Sequence, residues 1–230
     1  MVINRNINKV KIYMNDFRNK RKELEYQLRR EFIIEVAQKL FYKDGYENVT
    51  LNEVAKKADY TKATLYSYIK SKEDLYMEVY CVGLQQRYEY LKKEMNKAKT
   101  GLAKIEAFGK AYYEFYKNNS EILYHQQYLD YRPINPEKID PALMERFQEI
   151  NVDGYMIVVD AIKEGIADNT IKEDLDPNYL YSQIIYALRA VASAAVYRRK
   201  SVLDEENTEE INRNWYYSFL ELLMNAITKK

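Results

Sequence analysis

The sequence of 230 residues has little of what several common architectures require. It contains one cysteine, Cys81, and one histidine, His125, which excludes a disulfide framework and a multi-histidine or cysteine metal centre within one chain. Its six glycines and four prolines are fewer than the turns of a strand-rich fold normally need. These scarcities favour helices, and they predict an all-α protein without a metal or another cofactor.

Long apolar stretches are also missing. Residues 1–11 carry no apolar run of signal-peptide length, and no segment approaches the roughly 18 apolar residues of a membrane span. We therefore expect a cytoplasmic protein with no membrane partner. The sequence also lacks a nucleophile elbow, a phosphate-binding glycine loop and an acid–base pair with a histidine, which argues against an enzyme.

The charges are balanced in total but unevenly distributed. The whole chain has 36 Lys and Arg against 35 Asp and Glu. Residues 1–75 hold 16 of those basic and 11 of those acidic side chains, whereas the remainder holds 20 and 24. A basic first third indicates that the amino-terminal part meets a polyanion.

Apolar residues recur at helical spacing along most of the chain. Residues 1–21 form a polar, basic and irregular extension, which is either a minor-groove arm or a disordered tail. Leu24, Leu28 and Phe32 then start a stripe that Gly45 ends. We predict further helices over residues 75–99, 102–118, 120–131, 142–168, 178–199 and 205–227.

Three helix starts fall within residues 50–75. The run Thr50-Leu51-Asn52-Glu53 is a capping box, Thr61 can cap a second short helix, and Ser71 precedes a third. Asp59 stands where the turn between the first two helices needs a left-handed backbone, which Asp tolerates. Two short helices joined by such a turn are the sequence form of a helix-turn-helix.

The second short helix has the composition of a DNA-recognition helix. It begins with small and polar residues that fit a major groove, and its aromatic side chains can reach phosphates or thymine methyls. Thr50 is either a phosphate contact or a plain helix cap, and Lys56 is either a phosphate contact or a solvated lysine. The candidate DNA-binding residues are Thr50, Lys56, Thr61, Lys62, Ala63, Thr64, Tyr66, Tyr68 and Lys72.

The same region resembles a known family. The run from Gly45 to Ala58, followed by the run from Thr61 to Leu75, is similar to the amino-terminal signature of the TetR family of bacterial transcriptional regulators. There are three departures from that pattern: Asp59 replaces the turn glycine, Ala63 replaces a glycine of the recognition helix, and Tyr68-Ile69 replaces a His-Phe pair. The second departure places a methyl group near the DNA and could alter the preferred base.

The resemblance implies an architecture and a mechanism. A helix-turn-helix domain over residues 22–70 would be followed by a larger helical ligand-binding and dimerisation domain over residues 71–230, with Lys72 at a phosphate. The expected function is a sequence-specific regulator, a repressor that a small molecule releases from a palindromic operator. The expected partners are double-stranded operator DNA, a second copy of the chain and an unknown effector. The alternative is a constitutive, ligand-independent or nucleoid-associated DNA-binding protein.

Two further sets of residues complete the predicted sites. The last two helices offer a small-residue surface and a large apolar stripe, which either pack only within the chain or form a dimer, as the resemblance implies. These residues are Ala187, Val191, Ala194, Trp215, Phe219, Leu222 and Leu223. Aromatic residues on the middle helices form either a pocket for a flat or cationic ligand or ordinary core. These candidates are Tyr112, Tyr116, Tyr124, His125 and Tyr128, with Asp153 as a counter-charge.

Overall fold

The computed structural model describes residues 2–132, 134–197 and 208–229. Over these residues the chain forms α-helices, a short 3-10 helix at Pro136–Lys138 and no β-strand, which confirms the all-α prediction. The predicted helix ends at residues 199 and 205 lie outside the described residues. The helices are α1 (Val2–Asn48), α2 (Leu51–Lys57), α3 (Lys62–Tyr66), α4 (Lys72–Met95), α5 (Gly101–Asn118), α6 (Ser120–Tyr131), α7 (Pro141–Ala167), α8 (Pro177–Tyr197) and α9 (Thr208–Ile227).

The chain divides into two compact units. The first contains residues 1–79 and 135–140, and the second contains residues 80–134 and 141–230. In the first unit, the carboxyl-terminal part of α1 packs on α2, and α2 packs on α3. The segment 135–140 belongs to this unit because Asp74 accepts the backbone N–H of Asp140 at 2.9 Å and Ser71 donates to the carbonyl of Lys138 at 2.7 Å.

The core of the first unit includes apolar side chains from α1, α2 and α3. Ile33, Ala37 and Phe41 of α1 are buried, as are Val54 of α2 and Leu65 of α3. The helical backbone of α1 is interrupted at Gly45, where φ is 77° and ψ is 163°. That conformation is open to glycine but costly for other residues, so the predicted helix end at Gly45 has a physical basis.

The amino-terminal prediction is wrong in two respects. Residues 2–21 are helical and continue directly into the rest of α1, so they form neither an irregular extension nor an unfolded tail. Leu24 and Leu28 are 60% and 56% exposed, and Phe32 is exposed as well, so the predicted inward stripe begins only at Ile33. Helices α2 and α3 have seven and five residues, so they cover only the last part of a 47-residue helix.

We expect Leu65→Ala to lower the free energy of unfolding by about 3 kcal/mol, because it opens a cavity at a fully buried site. Chemical denaturation followed by circular dichroism measures this change. Leu28→Ala removes the same atoms from an exposed position and should change stability by less than about 0.5 kcal/mol. Equal losses for the two variants would contradict the core described above.

Helix α5 is the centre of the second unit. It packs against α6, α7, α8 and α9, and it buries Phe108, Tyr112, Tyr113 and Tyr116. Gly101 at its start lies so close to α7 that a Cβ atom would meet the backbone nitrogen of Gly165 at 1.9 Å. The position therefore requires glycine, and this close crossing fixes α5 on α7.

Candidate nucleic-acid interface and interior cavity

The helix-turn-helix begins with the predicted capping box. The backbone N–H of Glu53 donates to the hydroxyl of Thr50 at 3.2 Å. In return, Oε2 of Glu53 accepts the N–H and the hydroxyl of Thr50 at 2.7 and 2.9 Å. These two hydrogen bonds lower the pKa of Glu53. Because both donors of Thr50 are already used, a phosphate contact by Thr50 requires the capping box to open.

The turn between α2 and α3 has the backbone that its sequence indicates. Asp59 has a φ of 58°, which is the left-handed conformation that the sequence predicts at this position. The N–H of Tyr60 donates to the carbonyl of Ala55 at 2.9 Å and closes the turn. Thr61 then caps α3 by accepting the N–H of Thr64 at 3.1 Å. The turn and the cap together fix the direction in which α3 leaves α2.

The start of α3 is available to a partner. Thr61, Lys62 and Ala63 are exposed, and Thr64 is half-buried, whereas Leu65 is fully buried and anchors the helix. Tyr66 is 48% exposed, and the ammonium of Lys62 lies 5.9 Å from the centre of its ring. Small and polar side chains on an exposed helix start, with one cation and one aromatic ring, suit insertion into a major groove.

Tyr68 lies in a packed aromatic cluster. Its ring is 4.8 Å from that of Tyr26 on α1 and 6.4 Å from that of Tyr60 in the turn, between ring centres. It is half-buried, unlike Tyr66. The cluster fixes the end of α3 on α1, so we assign Tyr68 to support of the helix and leave it out of the proposed DNA contacts.

Two predicted phosphate-binding lysines have different surroundings. Lys72 donates to the carbonyl of Glu47 at 3.3 Å, and its ammonium lies 4.2 Å above the ring of Tyr46. Burial lowers the pKa of Lys72. Lys56 is exposed and lines a groove between α1 and α2 that also includes Lys39 and Lys43. The sequence gives no signal for those last two lysines, because only the packing of α1 on α2 brings them to Lys56.

The second unit encloses a cavity of about 220 Å³ between α4, α5, α7 and α8. Arg87 of α4 lines it and is only 4% exposed. Its Nη1 donates to the hydroxyl of Tyr116 at 2.6 Å and to Oε1 of Gln126 at 3.2 Å. Arg189 of α8 also lines the cavity. Neither arginine was among the predicted ligand residues, and a buried arginine on a helix gives no sequence signal that separates it from an exposed one.

The structure does not bring the predicted pocket residues together. Tyr112 lines the Arg87 cavity, and Tyr116 contacts Arg87. Tyr124 lines a different, open depression with Trp215, and the exposed Asp153 lines a third groove with Asp160 and Glu164. His125 is buried and Tyr128 is half-buried. A single pocket formed by all six residues is therefore wrong, because their helical positions point to different sides of α5, α6 and α7.

The predicted dimer residues form an exposed face. The buried residues of α8 and α9 include Leu188, Ala192, Tyr216 and Leu220, which pack within the chain. Trp215 and Leu222 are 45% and 67% exposed, and Ala194 is exposed. The other predicted residues are half-buried: Ala187, Val191, Phe219 and Leu223. Internal packing therefore does not account for this apolar surface.

Comparison with known proteins assigns the helix-turn-helix to a family. Residues 33–79 match the family model described as "Bacterial regulatory proteins, tetR family". The helix-turn-helix segment is therefore similar to that of TetR-family regulators. The chain is similar to family members well beyond the matched segment. It is 24% identical over 204 residues to the HTH-type transcriptional regulator QacR of Staphylococcus aureus, covering 87% of this chain and 98% of that protein.

A second relative is similar over nearly the same length of this chain. The fatty acid metabolism regulator protein of Bacillus subtilis is 26% identical over 206 residues, which cover 86% of this chain and 95% of the relative. The structure of FadR from Bacillus subtilis in complex with stearoyl-CoA has a TM-score of 0.64 and 21% identity, over 84% of this chain and 97% of that chain. The chain thus shares the fold of that regulator over most of its length, including the helical second unit. Among the described residues, no helix has the length and apolar character needed to cross a membrane.

Proposed function

We propose that this protein is a homodimeric repressor of the TetR family, which binds an inverted-repeat operator and leaves it when a small molecule binds the second unit. The observation that carries the proposal is the exposed start of α3, which Asp59 and the Thr61 cap hold in one orientation. We propose Thr61, Lys62, Ala63, Thr64 and Tyr66 as the groups that face the major groove. Lys56 and Lys72 are proposed phosphate contacts.

The exposed face of α8 and α9 supports the dimer. Trp215 and Leu222 are large apolar residues that face solvent in the isolated chain. A face of this kind commonly forms an interface, because burial removes its apolar surface from water. Two copies related by a two-fold axis would place one α3 helix at each half of an inverted repeat, about one turn of DNA apart.

The cavity near Arg87 supports a ligand-responsive protein over one with a filled, ligand-free core. A solved relative contains stearoyl-CoA, so its fold accommodates a small-molecule ligand. We propose that an effector binds more tightly to conformations in which the two α3 helices do not match adjacent major grooves. The resulting release from DNA is limited by the ratio of the effector's affinities for the two states.

Selection of bound duplexes from a random DNA pool tests this function. We expect enrichment of one inverted repeat, with an affinity that falls as salt rises because phosphate contacts release counterions. The selection is repeated at a low and a near-physiological salt concentration. Recovery of unrelated sequences with salt-sensitive binding alone would contradict a sequence-specific regulator and favour nucleoid-type binding.

A further inference from the structure

Arg87 is a buried cation, and no carboxylate among the described side chains offsets its charge. It has five N–H donors, and the two hydrogen bonds that it makes go to the neutral oxygens of Tyr116 and Gln126. Its Nε has no hydrogen-bond partner among the residues that the structure describes. Within the part of the chain that the structure describes, Arg87 makes no ion pair. Such an arrangement is costly in a protein without a ligand, because burial removes the water that would solvate the charge.

The aromatic residues around Arg87 reduce this cost only in part. The guanidinium carbon lies 4.5 Å from the ring centre of Tyr88 and 5.9 Å from that of Tyr116. The ring faces attract the cation, but they do not neutralise it. Burial raises the pKa of Tyr112 well above its usual value and raises that of Tyr181 to about 12, so both hydroxyls are uncharged near pH 7. These tyrosines therefore supply no negative charge.

The composition of the cavity wall indicates the kind of ligand that it accepts. Arg87 and Arg189 line it, and none of its described lining residues is Asp or Glu. Leu91, Phe108 and Ile185 supply apolar surface beside the arginines. The groove that contains Asp153, Asp160 and Glu164 has acidic lining residues, so the two sites differ in the charge that they offer a ligand.

We propose that the Arg87 cavity binds the anionic head group, a carboxylate or a phosphate, of a small molecule with an apolar body. This inference rests on the proposed ligand-responsive function and names the chemical class of the effector. The guanidinium donates to the oxygens of the head group, and the apolar residues contact the body. A volume of about 220 Å³ equals that of about seven water molecules in the liquid, so the part of the ligand held there is small. A cationic ligand, which the aromatic residues by themselves favoured, is disfavoured by the two arginines.

The test uses four compounds that share one apolar body: 4-phenylbutanoate, 4-phenylbutyl phosphate, 4-phenylbutanol and 4-phenylbutylamine. We measure the melting temperature of the full-length protein with each compound. The acid, the phosphate ester or both should raise it by about 5 °C at concentrations far above the dissociation constant, while the alcohol and the amine should not. The larger of the two anion responses identifies the preferred head group.

Arg87→Met supplies a readout that does not depend on the apolar body chosen. Tyr116 donates to Gln126 at 2.7 Å, so these two partners remain paired when the guanidinium is removed. We expect Arg87→Met to melt at a higher temperature than the wild type without ligand and to lose its response to the anions. Arg146→Met, which removes an exposed arginine from α7, is the matched control and should retain the response.

Each outcome decides the proposal. A wild-type response to the anions that Arg87→Met loses supports it. No anion response in the wild type, a larger response to the amine or the alcohol, or an undiminished response in Arg87→Met overturns it. Operator binding is measured on the same samples. If an anion binds but operator affinity does not change, the anion site is supported and the effector role is contradicted. If the protein binds its operator but responds to no anion, the anion site is refuted and the proposed DNA-binding function is not.

Discussion

Ala63→Glu is expected to lower affinity for the selected operator by at least about 100-fold. Ala63 is exposed at the start of α3, between Lys62 and Thr64, and in the proposed complex its small side chain would let the helix approach the bases. Glutamate would bring a carboxylate into the negative potential of the groove and add bulk at the closest point of approach. Fluorescence anisotropy with a labelled operator, at one fixed salt concentration, measures the loss.

The matched control for this variant is Ala142→Glu. Ala142 is exposed in the first turn of α7, so the substitution adds the same charge to a helix of the second unit. We expect its operator affinity to stay within about twofold of the wild type, and both variants should unfold at wild-type denaturant concentrations because both sites are exposed. Wild-type operator binding by Ala63→Glu would show that the DNA-binding surface does not include the start of α3.

Leu222→Arg is expected to convert the dimer to monomers and, as a consequence, to weaken operator binding by at least about 100-fold. Leu222 is 67% exposed in the single chain, so arginine fits the fold of the protomer. At a two-fold interface it would bury two unpaired charges, one from each copy, which is strongly unfavourable. Each released monomer would bind one half-site and would lose the gain in affinity that a linked second half-site provides. Sedimentation velocity at micromolar protein concentration measures the association.

Leu24→Arg is the control for the dimer. Leu24 is a leucine of similar exposure, 60%, but it lies on α1, outside the α8–α9 face. We expect this variant to remain a dimer with unchanged operator binding. If Leu222→Arg stayed dimeric while Leu24→Arg became monomeric, the dimer interface would lie on α1 and the proposal for α8 and α9 would be wrong.

The local features of the helix-turn-helix were predictable from the sequence. The Thr50–Glu53 capping box, the left-handed Asp59 and the Thr61 cap each depend on residues within four positions of one another. Hydrogen bonds of that range form wherever the residue types and their spacing allow them. The helical stretches of the second unit were predictable for the same reason, since their period of about 3.6 residues is a local property.

The sequence pattern did not predict which apolar side chains of α1 are buried. Leu24, Leu28 and Phe32 have the spacing of a core-facing stripe, yet they are exposed. The stripe needs a partner of equal length, and α2 and α3 are too short to supply one. Periodicity indicates which residues share a face, but only the packing of other elements decides whether that face is covered.

Only the tertiary structure brings together the residues that line the Arg87 cavity. Arg87 and Tyr116 are 29 positions apart, and Arg189 lies about 100 positions beyond Arg87, so no local pattern links them. The sequence by itself determined the short helices α2 and α3, their caps and the turn between them, because these depend on near neighbours. The packing of α4, α5, α7 and α8 decided that Arg87 is buried beside neutral tyrosines, because the solvation of a charge depends on what surrounds it in space.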